Sequence, residues 1–147
     1  MELHTTSEVI SFTKKLENES AKFYQDLSLK YAKDEDVFLS LVKENGKNIV
    51  QIERAYYGVI SDAIEGCFAF NINTDEYILE TELAEGASYS DALNKAAGIE
   101  ESMIKFYSDA AEQSQSLMAD VPRAFTMVAK KRSSRIPKLS SLLGKGS

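Results

Sequence analysis

Apolar residues recur every three to four positions over four long stretches of this 147-residue chain, a spacing typical of helices that bury one face. The pattern predicts helices over about 7–31, 35–64, 90–114 and 121–143. Each would be ~30–45 Å long at ~1.5 Å per residue, and helices of similar length pack side by side. We therefore expect an all-α four-helix bundle that forms a single domain over 1–147.

Residues that favour helix caps precede two of these stretches. Thr5, Thr6 or Ser7 is predicted to cap the first helix, and Ser88 or Ser90 the third. A hydroxyl at this position accepts a hydrogen bond from a backbone N–H group that the first helical turn leaves unpaired. The caps place these two helix starts within a few residues.

The connection between the second and third helices, residues 65–89, is too long for a tight turn. In it Phe68, Phe70 and Ile72 alternate with small or polar residues, and a short helix is predicted over 76–84. A connection of this length favours a long crossover along the bundle.

Two of the helical stripes carry a glutamate at a position expected to be apolar. Glu17 precedes Tyr24 by seven residues, and Glu100 precedes Tyr107 by seven. A phenylalanine comes directly before each tyrosine, so the pattern Glu-x5-Phe-Tyr occurs twice. Residues seven apart lie on the same face of a helix, which places each glutamate in line with core aromatics.

The other two stripes are interrupted by polar pairs at a spacing of three, Asn45/Asn48 and Arg132/Arg135. Apolar residues flank both pairs on the same stripe, so neither pair belongs to a solvated face. A misjudged helix rotation would explain one such case, but four concordant cases predict a polar cluster inside the bundle. A buried cluster of this kind is either a metal site or the remains of one.

On these residues the chain resembles the rubrerythrin branch of the ferritin-like superfamily, over essentially its whole length. In that family two helices each give a glutamate and the other two each give Glu-x-x-His, and together they hold two iron or manganese ions. The resemblance places six residues at ligand positions: Glu17 and Glu100 as the single glutamates, Asn45/Asn48 and Arg132/Arg135 as the two Glu-x-x-His pairs.

The replacements at the Glu-x-x-His positions argue against the family's metal chemistry. Asparagine is a weak neutral ligand, and arginine stays protonated and brings positive charge to the place of the metal. The one histidine, His4, precedes the first helix. We therefore expect no iron or manganese cofactor, and no peroxide reduction of the kind that the resemblance would otherwise imply.

In place of the metals we predict a buried network in which the two arginines neutralise the two glutamates and the asparagines fill the remaining hydrogen bonds. Tyr24 and Tyr107 would flank it as core aromatics with hydrogen-bonded hydroxyls. The protein would then have a structural or interaction role, for instance through oligomerisation. We expect a homo-oligomer, namely a dimer.

One alternative is an oxidoreductase or peroxidase with an altered iron or manganese site on Glu17, Glu44 and Glu100. It requires the second helix to be rotated by ~100°, because Glu44 is one residue off the family register. It also leaves Arg132 beside the metal, which is electrostatically unfavourable.

A second alternative is a small-anion pocket that binds a carboxylate or phosphate. It would be lined by Arg132, Arg135, Asn45 and Asn48. The two glutamates would repel such a guest unless they were protonated.

Charge is unevenly distributed along the chain. The net charge is −6, from 17 basic and 23 acidic residues, but the segment 121–147 has seven basic residues and no acidic one. That segment is therefore +7, and the remainder, with 10 basic against 23 acidic residues, is −13. The simplest interpretation is a basic helix packed among acidic ones. A surface for nucleic acid or lipid headgroups is the alternative, and the overall acidity disfavours nucleic acid.

The single cysteine, Cys67, allows no internal disulfide and no CxxC metal motif, and we expect it to be structural. No N-terminal stretch resembles a signal peptide, and no apolar run is long enough to span a bilayer. We therefore expect a soluble cytoplasmic protein with no membrane partner.

Overall fold

The computed structural model of the chain describes residues 1–59, 69–116 and 120–146. Within these ranges the chain is all-α, as predicted, apart from two strands of two residues each. The helices are α1 (Thr6–Lys30), α2 (Glu35–Val59), α3 (Tyr89–Gln113), α4 (Asp120–Ser133) and α5 (Arg135–Gly146). The strands are β1 (Glu2–Leu3) and β2 (Ile72–Asn73), paired antiparallel.

Capping boxes begin both α1 and α3, and they decide between the predicted caps. The Thr5 hydroxyl accepts from the Glu8 N–H at 3.1 Å, and the Glu8 carboxylate accepts from the Thr5 N–H at 3.0 Å. Ser88 and Asp91 repeat this exchange at 3.1 and 3.0 Å. Each box satisfies two backbone donors that the helix itself leaves unpaired.

The fourth predicted helix is interrupted at Ser134, so the expected single helix over 121–143 is in fact α4 followed by α5. Pro137 has no N–H and cannot donate to the carbonyl of Ser133. The Ser133 and Ser134 hydroxyls also bond back to backbone carbonyls one turn earlier, at 3.0 and 2.6 Å, an arrangement that bends helices. Arg132 and Arg135 therefore lie on either side of a break.

The predicted crossover is only partly described, because the expected end of the second helix, Cys67 and Phe68 lie outside the described residues. The short helix predicted over 76–84 is wrong. A 3-10 turn at Thr74–Tyr77 is followed by non-helical chain to 88. Tyr77 and Leu79 are buried while Ile78 is exposed, so burial alternates with a period of two rather than a helical period.

The helices pack around one core. α1 packs on α2, α3 packs on both α4 and α5, and α2 packs on α4. Together α4 and α5 take the place of the fourth helix of a bundle. Residues of the 78–87 segment line grooves with α1 and with α3, so this part of the connection lies along the α1–α3 face. No helix in the described ranges is long and apolar enough to cross a membrane.

Candidate functional site

The structure brings all six predicted polar residues together in the middle of the bundle. None is more than 1% exposed: Glu17, Asn45, Asn48, Glu100, Arg132 and Arg135. The side chains come from every long helix, because α1 and α3 give the glutamates, α2 the asparagines, and α4 and α5 one arginine each. We call this set the central network.

Arg132 is the centre of the network and contacts both glutamates. Its Nη1 donates to Glu100 Oε1 at 2.7 Å, and its Nε donates to Glu17 Oε1 at 3.3 Å. Its Nη2 donates to Glu17 Oε2 in a short charged contact and to Ser20 Oγ at 3.4 Å. The planar guanidinium thus holds one carboxylate with two nitrogens and a second carboxylate with the third, the geometry that makes arginine a strong partner for carboxylates.

Arg135 links the network to the edge of the bundle. Its Nη1 donates to Glu100 Oε2 at 3.3 Å, and its Nη2 donates to Asn45 Oδ1 at 2.6 Å and to the Leu41 carbonyl at 3.1 Å. Its Nε donates to Glu44 Oε1 at 3.1 Å. The Glu44 side chain is 28% exposed, whereas that of Arg135 is fully buried. Arg135 therefore connects a buried carboxylate with one that reaches solvent.

The two asparagines attach α2 to Glu17. Asn45 Nδ2 donates to the backbone carbonyl of Glu17 at 2.9 Å, and Asn48 Nδ2 donates to Glu17 Oε1 at 3.2 Å. Asn48 Oδ1 is buried and has no hydrogen-bond partner among the described residues. The asparagines therefore act as donors to Glu17, and Asn45 alone also accepts from an arginine.

The two tyrosines exchange hydrogen bonds between α1 and α3. Tyr24 on α1 donates to Glu100 Oε2 on α3 at 2.6 Å, and Tyr107 on α3 donates to Glu17 Oε1 on α1 at 2.7 Å. Each tyrosine thus contacts the glutamate of the other helix and not the one seven residues before it on its own helix. The two Glu-x5-Phe-Tyr segments therefore make reciprocal hydrogen bonds, because the tyrosine of each donates to the glutamate of the other.

The charges of the network stabilise one another. Burial by itself raises the pKa of Glu100, but Arg132, Arg135 and the hydrogen bond from Tyr24 outweigh burial and hold that pKa below its ordinary value. Burial lowers the pKa of Arg132, and the carboxylates of Glu100 and Glu17 more than compensate and raise it. Glu100 is therefore ionised and Arg132 protonated in the neutral pH range.

Both tyrosine hydroxyls stay protonated far into the alkaline range. Burial, and then the neighbouring carboxylate, raises the pKa of Tyr24 beside Glu100 and of Tyr107 beside Glu17. Loss of the phenol proton would place a second negative charge beside a buried carboxylate and remove the hydrogen bond, so ionisation is unfavourable there. Each tyrosine serves as a fixed hydrogen-bond donor.

Sequence reasoning missed two partners of the arginines, the Ser20 hydroxyl and the Leu41 carbonyl, and it named Glu44 only as a possible metal ligand and not as a partner of Arg135. One signal was available, because Ser20 lies three residues after Glu17, on the same face of α1. A backbone carbonyl such as that of Leu41 leaves no trace in residue identity.

The donor set does not fit a di-iron or di-manganese centre. No group of three or more histidine, cysteine, aspartate or glutamate side chains capable of holding a metal comes together in the described parts of the chain. Glu44, the third carboxylate of the altered-site alternative, is bound to Arg135. His4 lies beside Phe70, with its Nδ1 3.1 Å from that carbonyl, and not in the network. Two guanidinium groups contact the carboxylates that a metal would need.

Comparisons with known proteins add no family. No protein-family model, curated protein or solved structure matches this chain. The resemblance to rubrerythrins therefore remains a prediction from the residues of the central network and their spacing.

Proposed function

We propose that this protein is a ferritin-like, rubrerythrin-type bundle in which the central network occupies the place of the di-iron centre, and that its role is structural or interactive and not oxidative. The observation that carries the proposal is the position of Arg132. Its guanidinium bonds to the single glutamates of both α1 and α3 at once. In the family that the chain resembles, those are the glutamates that hold the metals.

Charge compensation explains why a guanidinium suits this position. Two ionised glutamates cannot be buried together without cations nearby. Metal ions supply that charge in a di-iron protein, whereas Arg132 and Arg135 supply it here, with each of their three nitrogens donating. Positive charge that is covalently part of the chain makes the bundle independent of metal supply.

The same contacts weigh against the small-anion alternative. Every guanidinium nitrogen of both arginines already donates to an oxygen of the protein. An entering anion would have to displace glutamates that each also accept a hydrogen bond from a tyrosine hydroxyl. A guest of the same charge as those glutamates gains little from such an exchange.

Metal content and ferrous titration test the proposal. The protein would be expressed in medium supplemented with iron and manganese, purified without chelator under anaerobic conditions, and analysed for bound metal per chain. We expect no stoichiometric metal and no saturable ferrous binding. Stoichiometric iron or manganese in the wild-type chain would overturn the proposal in favour of a di-metal oxidoreductase.

A variant with restored ligands is the matched control. It combines Asn45→Glu and Asn48→His on α2 with Arg132→Glu and Arg135→His at the α4–α5 break. If the bundle has the family geometry, this variant binds close to two ferrous ions per chain under the same conditions. A folded variant that binds none would show that the resemblance is wrong, whatever the wild-type chain does.

A further inference from the structure

A groove between α2 and α4, separate from the central network, is rich in positive charge. We call it the basic groove; it is lined by Lys43, Gly46, Lys47, Val50, Gln51, Arg54 and Lys131. All four cations are exposed, and none forms an ion pair with a residue that the structure describes. Lys131 donates to the neutral Gln51 Oε1 at 2.7 Å. A chain of net charge −6 thus has, at this groove, four neighbouring cations that pair with no acidic residue in the described ranges.

Neighbouring acidic residues of α2 are committed elsewhere. Glu44 binds Arg135 at 3.1 Å on the side of the core, and Glu53 binds Lys14 of α1 at 3.3 Å. Lys43 and Lys47 are four residues apart on one helix face, an arrangement in which like charges repel each other. The fold therefore maintains an uncompensated positive surface that a negative partner would stabilise.

One residue that lines the basic groove is a glycine, Gly46, which no contact among the described residues requires. Gly46 lies in the middle of α2, where glycine destabilises a helix relative to alanine. A Cβ atom built there would meet no heavy atom within 4 Å, so no contact inside the molecule requires its absence. A second chain that approaches the α2 backbone closely at Gly46 would require the absence of a side chain there.

Apolar side chains accompany the cations. Val50 in the groove and Met127 on α4 are each 45% exposed. Met127 lies at the edge of the basic groove, since Gln51 of the groove donates to Met127 Sδ at 3.5 Å. A cationic rim beside exposed apolar side chains suits an acidic segment that also presents an apolar residue.

The chain itself contains a segment of this kind, residues 74–87, which we call the acidic segment. It has five acidic residues and no basic one: Asp75, Glu76, Glu80, Glu82 and Glu85. All five are exposed, and none forms an ion pair with a described residue. Ile78, in the middle of the segment, is 67% exposed.

We propose that the acidic segment of one copy docks in the basic groove of another copy. The acidic segment runs along the α1–α3 face, whereas the groove lies on the α2–α4 face on the other side of the bundle. Complementary surfaces on opposite faces make a head-to-tail contact, which builds chains or rings and not a closed twofold dimer. The association is electrostatic at its rim, so salt weakens it.

Sedimentation velocity at increasing protein concentration tests the proposal. We expect concentration-dependent species larger than a monomer at ~0.1 M ionic strength, and their loss at ~1 M, where the Debye length falls from ~10 to ~3 Å. Lys43→Glu/Lys47→Glu reverses the groove and Glu80→Lys/Glu82→Lys reverses the segment. Each is expected to raise the dissociation constant more than about tenfold, because like charges then face each other. Lys33→Glu/Lys138→Glu is the control for the groove variant, because it makes the same change in net charge at two lysines outside the groove.

Mixing the two reversed variants distinguishes this contact from a general charge effect. Each variant alone repels its own copies, but the groove of the first now matches the segment of the second, so association returns on mixing. Gly46→Gln adds a side chain to the lining of the groove and is expected to weaken association while the melting temperature stays the same or rises. A wild-type chain that remains monomeric throughout, or a mixture that fails to associate, would overturn the proposal. Neither result bears on metal binding, so the proposed function is tested independently.

Discussion

Arg132 and Glu100 form an ion pair from which solvent is excluded, with Nη1 2.7 Å from Oε1 and both side chains fully buried. The same guanidinium holds Glu17, so removal of the Arg132 side chain leaves Glu17 without a cationic partner and Glu100 with Arg135 alone. Taking charges out of water is costly, and their attraction offsets that cost only while the partners are all present. We therefore expect the intact network to contribute little net free energy of folding, and the loss of one partner to be costly.

Removal of the bridging guanidinium should be strongly destabilising. We expect Arg132→Ala to lower the free energy of unfolding by about 3–5 kcal/mol, since it leaves the buried Glu17 without a cationic partner and Glu100 with Arg135 alone. Urea denaturation followed by circular dichroism measures the change. Arg123→Ala, an exposed arginine on the same helix, is the control and should change stability by less than ~0.5 kcal/mol. If the two variants were equally stable, removal of Arg132 would leave no buried carboxylate ionised and unpaired, and the prediction would be wrong.

Neutralising the partners together should recover much of that loss. Arg132→Met combined with Glu17→Gln and Glu100→Gln removes one cation and two anions, and leaves Arg135 paired with Glu44. Replacement of a buried ion cluster by neutral side chains of similar size is often close to neutral in free energy. We expect the triple variant to unfold at a urea concentration well above that of Arg132→Met alone. A triple variant less stable than the single one would mean that hydrogen bonds, and not charge, dominate the network.

Residue spacing predicted the network because a polar side chain on an apolar helix stripe has only the core to enter. Glu17, Asn45 and Arg132 each interrupt such a stripe, and all three are buried. The partners within the network were less predictable. Heptad spacing could not show that Tyr24 contacts Glu100 on the other helix, because that contact depends on the separation and rotation of two packed helices.

The errors in the fold have local causes that compete with helix periodicity. Ser133, Ser134 and Pro137 all withdraw backbone groups from helical bonding, and this broke the fourth helix although its apolar stripe continues. Over 76–84 the residue types tolerate a helix, but burial of Tyr77 and Leu79 against the bundle favours extended chain. Tertiary packing, not propensity, decided that segment.

Acid should unfold the protein through Glu100. Its pKa is lowered in the folded state from the ordinary value of 4.5, so the unfolded chain binds a proton more readily than the folded one. The stabilisation is fully present above that ordinary value and is lost as the pH falls through the lowered pKa. Thermal denaturation between pH 7 and pH 3 should show a steep decline in melting temperature below ~4.5. Glu100→Gln should flatten the Glu100 part of this decline, and an unchanged slope would assign the acid sensitivity to other carboxylates.

Alkali should reveal the two tyrosines of the network. The pKa values of Tyr24 and Tyr107 are raised above the ordinary 10.0, so the folded state keeps these protons while the unfolded state loses them. Their stabilisation is present below that value and is lost as the pH rises towards the raised pKa values, so unfolding and ionisation should occur together. Absorbance at the tyrosinate band after a rapid pH jump should show a slow phase that has the same rate as unfolding by circular dichroism.

The double variant Tyr24→Phe/Tyr107→Phe identifies the residues responsible. It should reduce the slow phase by the absorbance of two tyrosines, while Tyr77 and Tyr89, whose pKa values are raised by burial and by the carboxylates of Asp109 and Asp34, continue to contribute. It should also lower the free energy of unfolding by about 1.5–3 kcal/mol per lost hydrogen bond to a charged group. If the slow phase kept its full amplitude, Tyr24 and Tyr107 would have to ionise rapidly in the folded protein, and the carboxylates of Glu100 and Glu17 would need another donor in the core.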